Sequence, residues 1–231
     1  MLTVVPVEGI PEVRPGAVLA DVIAAAVVDL QDGDVVVVTS KIVSKAEGRL
    51  VAVDPDDELA HKPLVEQEAV RVLRRRGDLA ITETVHGFIC ANAGIDLSNV
   101  ERGEAALLPV DSDRSARRIR DGLRARLGVE VGVVVTDTFG RTWRRGLTDV
   151  AIGVAGVAAV VDLRGTEDAL GRELHVTEVC VADEIAAAAD LVMGKSRGVP
   201  VAVVRGLDPA WLREGSVGTE IVRPPGEDLF R

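Results

Sequence analysis

Aromatic residues are almost absent from this chain, which has no tyrosine, three phenylalanines and two tryptophans among its 231 residues. A core of ordinary size must therefore be built from valine, alanine, leucine and isoleucine. Cysteine is equally scarce, and Cys90 and Cys180 lie in apolar contexts without the C-x-x-C spacing of metal or redox motifs. We interpret both as reduced core residues, which argues against a disulfide-stabilised secreted scaffold.

Long hydrophobic runs and a basic surface are missing as well. The longest apolar run, Val150–Val161, has 12 residues and contains two glycines, so it is too short to span a bilayer. The N-terminus shows no basic region followed by an apolar stretch, so no signal peptide is expected and a cytoplasmic protein is predicted. The formal net charge of −10 argues against nucleic acid as a partner, because a phosphate backbone requires a basic footprint.

Several common kinds of site are not indicated by the sequence. His61, His86 and His175 are far apart and lack the ligand spacing that is typical of zinc sites. No serine lies in a nucleophile-elbow context, so no Ser-His-Asp set can be inferred. Neither a Walker A motif nor a G-x-G-x-x-G dinucleotide fingerprint is present.

The overall pattern alternates apolar strands with helices, which predicts an α/β protein with mixed sheets. Strands are predicted at Leu2–Val7, Asp34–Thr39, Leu79–Thr84, Gly87–Ala91, Val131–Val135 and Pro200–Val204, with a strand pair or buried segment at Val150–Val161. Helices are predicted at Val18–Leu30, Glu58–Arg76, Ser112–Leu127 and Thr177–Met193. No linker rich in Pro, Ser or Gly divides the chain, so residues 1–231 are expected to form a single domain, large or built of two small lobes.

The most informative segment joins a buried strand to a polar cluster. The apolar run Val131–Val135 is followed by Thr-Asp-Thr at residues 136–138, and three arginines follow within residues 141–145. A carboxylate next to two hydroxyls is a hard oxygen site of the kind that Mg²⁺ or Mn²⁺ prefers. The arginines offer planar forks for phosphate or carboxylate groups. On this segment alone an alternative stays open, in which Asp137 caps a turn and the arginines form a solvated face.

A second acid ends a short extended segment forty residues earlier. The segment that starts at His86 ends in Gly-Ile-Asp at residues 94–96, and Ser98 and Asn99 follow. Asn92 and Asn99 can each donate and accept hydrogen bonds, which suits a purine edge, a ribose or a phosphate. An ordinary Asx turn is the alternative. Two acid-ended strands in one chain favour metal-assisted phosphoryl chemistry, because such sites draw their carboxylates from separate loops of a rigid scaffold.

A third polar segment follows the predicted strand Asp34–Thr39. It contains Ser40, Lys41, Ser44 and Lys45, and the two lysines are four residues apart, so on a helix they would share a face. Lysines and hydroxyls after a strand are chemically suited to phosphate. The alternative is a surface helix whose lysines extend along it into solvent.

Together these segments resemble the coenzyme F420-0:L-glutamate ligase family, the gamma-glutamyl ligases that complete the deazaflavin coenzyme. The matching stretches are residues 6–11, 37–49, 91–99, 136–144, 176–179, 182–186 and 203–206. The resemblance covers essentially the whole chain in the same order. Thr142 is a departure, since many relatives carry proline there. Some actinobacterial relatives continue into a flavin-binding nitroreductase-like domain, and none is expected within this chain.

The resemblance implies a fold, a set of ligands and a set of site residues. It implies a mixed α/β fold, an intertwined homodimer, and the use of GTP, L-glutamate and Mn²⁺ or Mg²⁺, with K⁺ as an aid. Carried over by position, it implies that Asp96 and Asp137 bind one divalent cation and that Thr138 binds at a second. The implied nucleotide contacts are Ile10, Pro11, Glu12, Val13, Ser40, Lys45 and Asn99. Arg141 and Arg144 are candidates for stabilising charge or for binding a substrate phosphate.

The predicted function is a GTP- and metal-dependent ligase that adds L-glutamate to coenzyme F420-0 through an acyl phosphate, with further γ-linked glutamates as an option. Two alternatives stay open, namely a metal-dependent phosphohydrolase or kinase acting on another acceptor, and a non-catalytic nucleotide-binding protein. Glu47, Glu83 and Asp149 lie near the motifs as candidate bases or as salt-bridged acids.

Two geometric expectations follow from these interpretations. The carboxylates of Asp96 and Asp137 should converge to about 3–5 Å, which is the reach of two ligands that share a cation. The small residues of Val150–Val161 should let two chains approach closely, in a homodimer that buries over ~2,000 Å². The alternative for that segment is a buried central strand and turn.

Overall fold

The computed structural model of the protein describes residues 1–228. The strands are β1 (Thr3–Pro6), β2 (Val35–Thr39), β3 (Leu50–Ala52), β4 (Ala69–Arg76), β5 (Leu79–Thr84), β6 (Ile89–Ala91), β7 (Glu104–Ala106), β8 (Gly132–Arg141), β9 (Arg144–Ala155), β10 (Val161–Asp162), β11 (Glu178–Val179) and β12 (Val201–Arg205). The α-helices are α1 (Leu19–Ala26), α2 (Ser40–Ala46), α3 (Lys62–Glu68), α4 (Ser112–Leu127), α5 (Val181–Met193) and α6 (Val217–Glu220). Across these residues no helix combines the length and the apolar character needed to cross a bilayer.

The largest sheet has five strands in the order β1-β12-β2-β8-β9. β2 and β8 are parallel, and every other neighbouring pair in this sheet is antiparallel. The predicted α/β class with mixed sheets is therefore confirmed. Helix α4 also occupies the predicted bounds, and its cap residue Asp111 accepts a hydrogen bond from the backbone N–H of Arg114.

The valines of β2 explain how a core forms without aromatic residues. Val36 and Val38 pack into a cluster with α1, α2 and α4, whereas Val35 and Val37 pack into a second cluster with α5 and α6. All four side chains are 0% exposed. Successive side chains of a strand point to opposite faces, so a run of valines fills both faces of a central strand. The sheet is consequently covered by helices on both sides.

A smaller β-rich part surrounds the middle of the sequence. β4, β5 and β6 form a three-stranded antiparallel sheet, and β3 pairs with β7. Helix α3 contributes Val65 to a small core with Ala80 and Ala93. This core is far smaller than those of the main sheet, and most side chains of β4 are exposed.

The predicted helix Glu58–Arg76 is wrong in its second half. The helix ends at Glu68, and residues 69–76 form strand β4, which pairs with β5 across a turn at Gly77. Cross-strand pairing has overridden the helix preference of the leucine and arginine residues in this segment. The predicted helix Thr177–Met193 likewise begins later, at Val181, because Glu178–Val179 pairs with β10.

Strand β8 is longer than the predicted strand Val131–Val135. It continues to Arg141 and forms a hairpin with β9, so the polar residues 136–138 lie within a strand and do not end it. The strand leaves the core at this point, because its residues are buried up to Thr136 and partly or fully exposed beyond it.

Residues 150–161 do not form a surface for a second chain. Ala151, Ile152, Val154 and Ala155 of β9 are at most 3% exposed, and they pack inside their own chain. The expectation that this segment pairs two chains is wrong, and the alternative of a buried strand and turn is right. Its small residues serve internal packing, because a Cβ on Gly153 would lie 2.3–2.6 Å from atoms of Ser112 on α4.

Carboxylates from two helices satisfy backbone groups of the edge strand β9. Asp183 of α5 accepts a hydrogen bond from the N–H of Ala151 at 2.9 Å, and Asp113 of α4 accepts one from the N–H of Val154 at 2.8 Å. Buried backbone donors need such partners, so the two acids fix the helices against this edge.

We expect Gly153→Ala to destabilise the fold by roughly 1–3 kcal/mol or more, because the new methyl group would meet the backbone carbonyl of Ser112. Gly140→Ala is the matched control, since the nearest atom to a Cβ there is a leucine methyl at 4.0 Å. Chemical denaturation of both variants would measure the difference. Equal stabilities would show that the contact between α4 and β9 is looser than described.

Candidate functional site

The junction between β2 and α2 brings a serine against the predicted metal ligand Asp137. Parallel pairing places Thr39 opposite Thr136, one residue before each of these groups. Ser40 begins α2, and its Oγ donates a hydrogen bond to Asp137 Oδ1 at 3.2 Å. Where the parallel pairing of β2 and β8 ends, the next residues of both strands lie close together, and the carboxyl ends of parallel strands are a common location for binding sites.

Lys41 connects the same helix end to the second acid, Asp96. Its Nζ lies 2.6 Å from Asp96 Oδ2 and also donates to the backbone and side-chain oxygens of Ser98. The N–H of Ser98 donates to Asp96 Oδ1 at 2.7 Å, so the Asx-type turn considered for this segment is also present. Because Ser40 and Lys41 are adjacent, the two acids are brought together at one end of α2.

Lys45 links α2 to the N-terminal loop that the resemblance associates with GTP. Lys45 is only 7% exposed, and its ammonium forms an ion pair with the largely exposed carboxylate of Glu12. Val13 is 5% exposed and packs in the core, with Ile10 against the same cluster. The exposed residues of this loop are Pro11 and Glu12, so these and the backbone are the parts that a ligand could contact.

The two asparagines of the second motif play different parts. Asn92 Oδ1 accepts hydrogen bonds from the N–H of Ala80 and from Lys62, so this residue holds the small sheet together and is not free for a ligand. Asn99 is exposed and has a φ of 53°, directly after the turn that holds Asp96. A left-handed asparagine beside a polar cluster is uncommon and marks a locally constrained position.

Thr138 lies on the opposite face of β8 from Asp137. Its Oγ1 donates to Asp149 Oδ1 at 2.6 Å, and Asp149 is its direct partner in the register of β8 and β9. Asp149 is 2% exposed, accepts a further hydrogen bond from Thr136, and forms an ion pair with Lys195 at 2.9 Å. Asp149 is therefore a salt-bridged acid, one of the two roles considered for it. Lys195, which no motif marked, also donates to Thr138.

The electrostatics of the site follow from this crowding of acids. Burial is the largest influence on the pKa of Asp137 and raises it, the hydrogen bonds from Thr138 and Ser40 lower it, and the negative charges of Asp96 and Asp149 add to the rise, so that the pKa is about 7. Burial would also raise the pKa of Asp96, but the bonds from Lys41 and Ser98 outweigh it and hold that pKa below its usual value. The site thus carries more negative charge than its own donors neutralise.

Arg141 and Arg144 do not join this cluster within the chain. They face each other at the end of the β8–β9 hairpin, both exposed, four residues along the strand from Asp137. At ~3.3 Å per residue this separation is about 13 Å. Between them Trp143 is 89% exposed with a φ of 66°, so the hairpin presents an aromatic ring and cations to solvent.

The two cysteines agree with the sequence interpretation. Cys90 is buried, Cys180 is partly buried, and both are free thiols. Burial raises the pKa of each thiol to about 12, so both stay protonated and unreactive at neutral pH. Within residues 1–228 no group of three or more His, Cys, Asp and Glu side chains is placed to hold a metal ion by itself.

The residues present nevertheless fit a divalent cation of the Mg²⁺ type. Asp96 and Asp137 supply carboxylates and Ser40 a hydroxyl on one side of β8, and Thr138 supplies a hydroxyl beside Asp149 on the other side. Mg²⁺ commonly uses one or two carboxylates and completes its shell with water and substrate phosphates, so a cage of three acids is not required. The raised pKa of Asp137 is the further observation, since it reports a buried carboxylate, with Asp96 and Asp149 adding to the rise, whose ionised form a bound cation would stabilise.

The fold and the site define a class: an α/β protein with a cluster of carboxylates, hydroxyls and lysines beside the parallel strand pair β2 and β8. The family described as F420-0:gamma-glutamyl ligase matches residues 9–206. The chain belongs to this family.

Three relatives carry the name coenzyme F420:L-glutamate ligase. The one from Methanopyrus kandleri is 43% identical over 95% of this chain and 94% of its own length. The one from Methanothermobacter thermautotrophicus is 41% identical over 100% of this chain and 99% of its own length. The one from Archaeoglobus fulgidus is 43% identical over 99% of this chain and 96% of its own length.

With a chelator present, Asp137→Asn should raise Tm by a few degrees at pH 8 and by less at pH 5. The pKa of about 7 in the folded protein lies above the ordinary 3.8, so folding binds protons between these values and stability falls as pH rises from about 4 to 7. An asparagine side chain does not ionise, so the variant does not lose stability in this way. Its side-chain oxygen can still accept the hydrogen bond from Ser40. Differential scanning calorimetry at both pH values would measure it.

Asp96→Asn is the control with the opposite sign. Its lowered pKa means that the ionised carboxylate stabilises the fold above its ordinary pKa, and that this contribution is lost as pH falls. Asp96→Asn should therefore lower Tm at pH 8 more than at pH 3, which lies below the ordinary pKa of 3.8. If both variants shift Tm equally at every pH, the described charge balance is incorrect.

Proposed function

We propose that this protein is a ligase that joins L-glutamate to coenzyme F420-0 by an amide bond, with GTP as the energy source. The observation that carries the proposal is the helix end where Ser40 and Lys41 contact Asp137 and Asp96. It occurs in a chain that is 41–43% identical, over nearly its full length, to relatives named coenzyme F420:L-glutamate ligase.

The nucleotide is assigned to the side of α2 that carries Lys45. This ammonium is buried, and its partner is the exposed Glu12, so a phosphate could replace the carboxylate of Glu12 without leaving a buried charge unpaired. Ser40 and Asn99 border the same region and supply neutral polar contacts. The backbone of the loop from Ile10 to Val13 completes the assigned contacts.

Divalent cations, Mn²⁺ or Mg²⁺, are assigned to the two faces of β8. Asp96 and Asp137 would hold one, and Thr138 would contribute to a second. When bound, such a cation neutralises phosphate charge as it shifts during phosphoryl transfer. We also expect K⁺ to aid the reaction, as the family resemblance implies.

The chemistry proceeds in two balanced steps. A carboxylate oxygen of F420-0 attacks the terminal phosphorus of GTP, and the bond from that phosphorus to the bridging oxygen breaks, which leaves GDP and an acyl phosphate. The free amine of L-glutamate then attacks the acyl carbon. The carbon–oxygen bond to phosphate breaks, inorganic phosphate leaves, and the amine gives up a proton as the amide forms.

The protein contributes positioning and fixed charge to these steps. Lys45 offers a partly desolvated ammonium, and fixed donors of this kind are typically worth a few kcal/mol of transition-state stabilisation. The crowding of Asp96, Asp137 and Asp149 restricts where negative phosphate can approach, namely along the lysine side. A further γ-linked glutamate would require the new carboxylate to return to the same place.

We also propose that the active form is a homodimer. The backbone of Arg141, with Arg144 opposite it, lies about 13 Å along β8 from Asp137 of its own chain, so the β8–β9 hairpin could bring these arginines to the site of a second copy. Strand β4 supplies a surface, because it is an edge strand on which Val70 is 63% exposed. Exposed apolar edge strands are commonly covered by another chain.

Mass spectrometry of products is the direct test of the ligase. With F420-0, L-glutamate, GTP, Mn²⁺ and K⁺ we expect a product heavier by one glutamate residue, together with GDP and phosphate in equal amounts. Phosphate release that does not depend on glutamate would favour a phosphohydrolase or a kinase instead. GTP binding without any amide product would favour a non-catalytic nucleotide-binding protein.

Two variants assign roles in the same assay. Lys45→Met keeps the apolar stem and removes the charge, so KM for GTP should rise about tenfold or more, as for loss of a charge-assisted hydrogen bond. Asp137→Asn should abolish turnover and leave the fold intact. Equal loss of stability in both variants would mean that these residues are structural.

Light scattering tests the dimer. We expect a species of about 49 kDa, twice the 24.4 kDa chain. Val70→Glu should shift it towards the single chain, because a charge would be buried at the contact. Val28→Glu is the control, since Val28 is 98% exposed on a loop before β2. An active species of ~24 kDa at micromolar concentration would contradict the proposal.

A further inference from the structure

Lys195 lies on a loop whose position next to the site has no part in the function proposed so far. The loop joins α5 to β12, and Gly194 and Gly198 within it have φ values of 62° and 68°. The side chain of Lys195 is 59% exposed, yet its ammonium points inward to acids. Its position is therefore set by the charges it meets, because the glycines leave the loop free to take other conformations.

The ammonium occupies a place bounded by oxygen atoms. Lys195 Nζ donates to Asp149 Oδ1 at 2.9 Å and to Thr138 Oγ1, and Asp190 lies 3.6 Å away. Burial would lower the pKa of Lys195, but these acids outweigh it and raise that pKa, so the group is a cation at neutral pH. The position beside Asp149 and Thr138 is therefore occupied by one positive charge, the ammonium of Lys195.

The Thr138 hydroxyl is oriented for a cation. It donates its hydrogen to Asp149 Oδ1, so its lone pairs are directed away from that carboxylate, and Lys195 uses one of them. Asp149 is 2% exposed and its other oxygen accepts from Thr136. The hydroxyls of Thr136 and Thr138 hold the carboxylate of Asp149 in place. Of the donors to this carboxylate, Lys195 is the one whose side chain can turn away into solvent.

We propose that Lys195 is a tethered cation that occupies the second cation position at Thr138, so that a divalent ion binds there only when the Lys195–Asp149 ion pair opens. Asp149 is then a positioning residue that holds the Thr138 hydroxyl in both states. This inference rests on the proposed function in one respect, the assignment of a cation to Thr138. It adds an internal competitor to that site.

A purely structural ion pair accounts less well for these contacts. A lysine that held the fold together would be expected to lie deep in the structure on a rigid element. Lys195 instead reaches in from an exposed loop between two glycines. Its ammonium can turn to solvent, and an arriving divalent ion can displace it, because that ion keeps a positive charge beside the buried carboxylate of Asp149.

The test measures Mn²⁺ binding in the absence of nucleotide. The free ion is quantified by electron paramagnetic resonance. Lys195→Met should tighten at least one Mn²⁺ site by roughly fivefold, the factor that corresponds to loss of a competitor worth ~1 kcal/mol. Arg197→Met is the matched control, because it removes one charge from the same loop and contacts only the carbonyl oxygen of Val192. This control shows how much Mn²⁺ binding changes when any one positive charge is removed from the loop.

Chemical labelling of the unmodified protein gives a second measurement. Acetylation followed by mass spectrometry should show faster labelling of Lys195 when Mn²⁺ is added, since the displaced amine turns outward. Lys62, which bonds to Asp78 and Asn92 in the small sheet, serves as the internal reference and should not change.

The outcomes separate this inference from the proposed function. Tighter Mn²⁺ binding by Lys195→Met than by Arg197→Met, with increased labelling of Lys195, supports it. Equal binding by the two variants overturns the inference and leaves the ligase proposal standing. Absence of Mn²⁺ binding in all three proteins overturns both the inference and the assignment of cations to β8.

Discussion

The parallel pairing of β2 with β8 is the constraint on which the rest of the site depends. It aligns Thr39 with Thr136, so the next residues of both strands emerge side by side. One strand continues as helix α2 and supplies hydroxyls and ammonium groups, whereas the other continues as a hairpin and supplies Asp137. A shift of this register by one residue would turn Asp137 to the other face of the sheet and dissolve the cluster.

The alternation of side chains along β8 then divides the polar residues between two faces. Asp137 meets Ser40 on one side, and Thr138 meets Asp149 on the other. A single strand therefore presents two neighbouring polar environments. Their charges interact across the strand, because the negative charge of Asp149 contributes to the raised pKa of Asp137. The opposite orientations of Asp137 and Thr138 place the two proposed cation positions on different faces of one strand.

The sequence predicted the main sheet well because its strands are short valine runs and because Asp111 is a capping residue before a regular helix. It failed at β4, where arginine and leucine favour a helix and only the long-range partner β5 determines the strand. The acid and lysine residues of the site were predicted from their place after strands. Lys195 was not, since nothing in Gly-Lys-Ser-Arg-Gly indicates which acids the loop will meet after folding.

The carboxylates that cap β9 have a consequence for how the protein behaves in a crowded solution. Valine-rich strands of low charge are the sequences most prone to extend into fibrils through an open edge. In this sheet one edge is occupied by Asp113 and Asp183, and the other is the four-residue strand β1, which ends in Pro6. Both edges are thus interrupted, one by the two carboxylates and the other by its shortness and its proline, which disfavours strand-by-strand self-association of a largely aliphatic sheet.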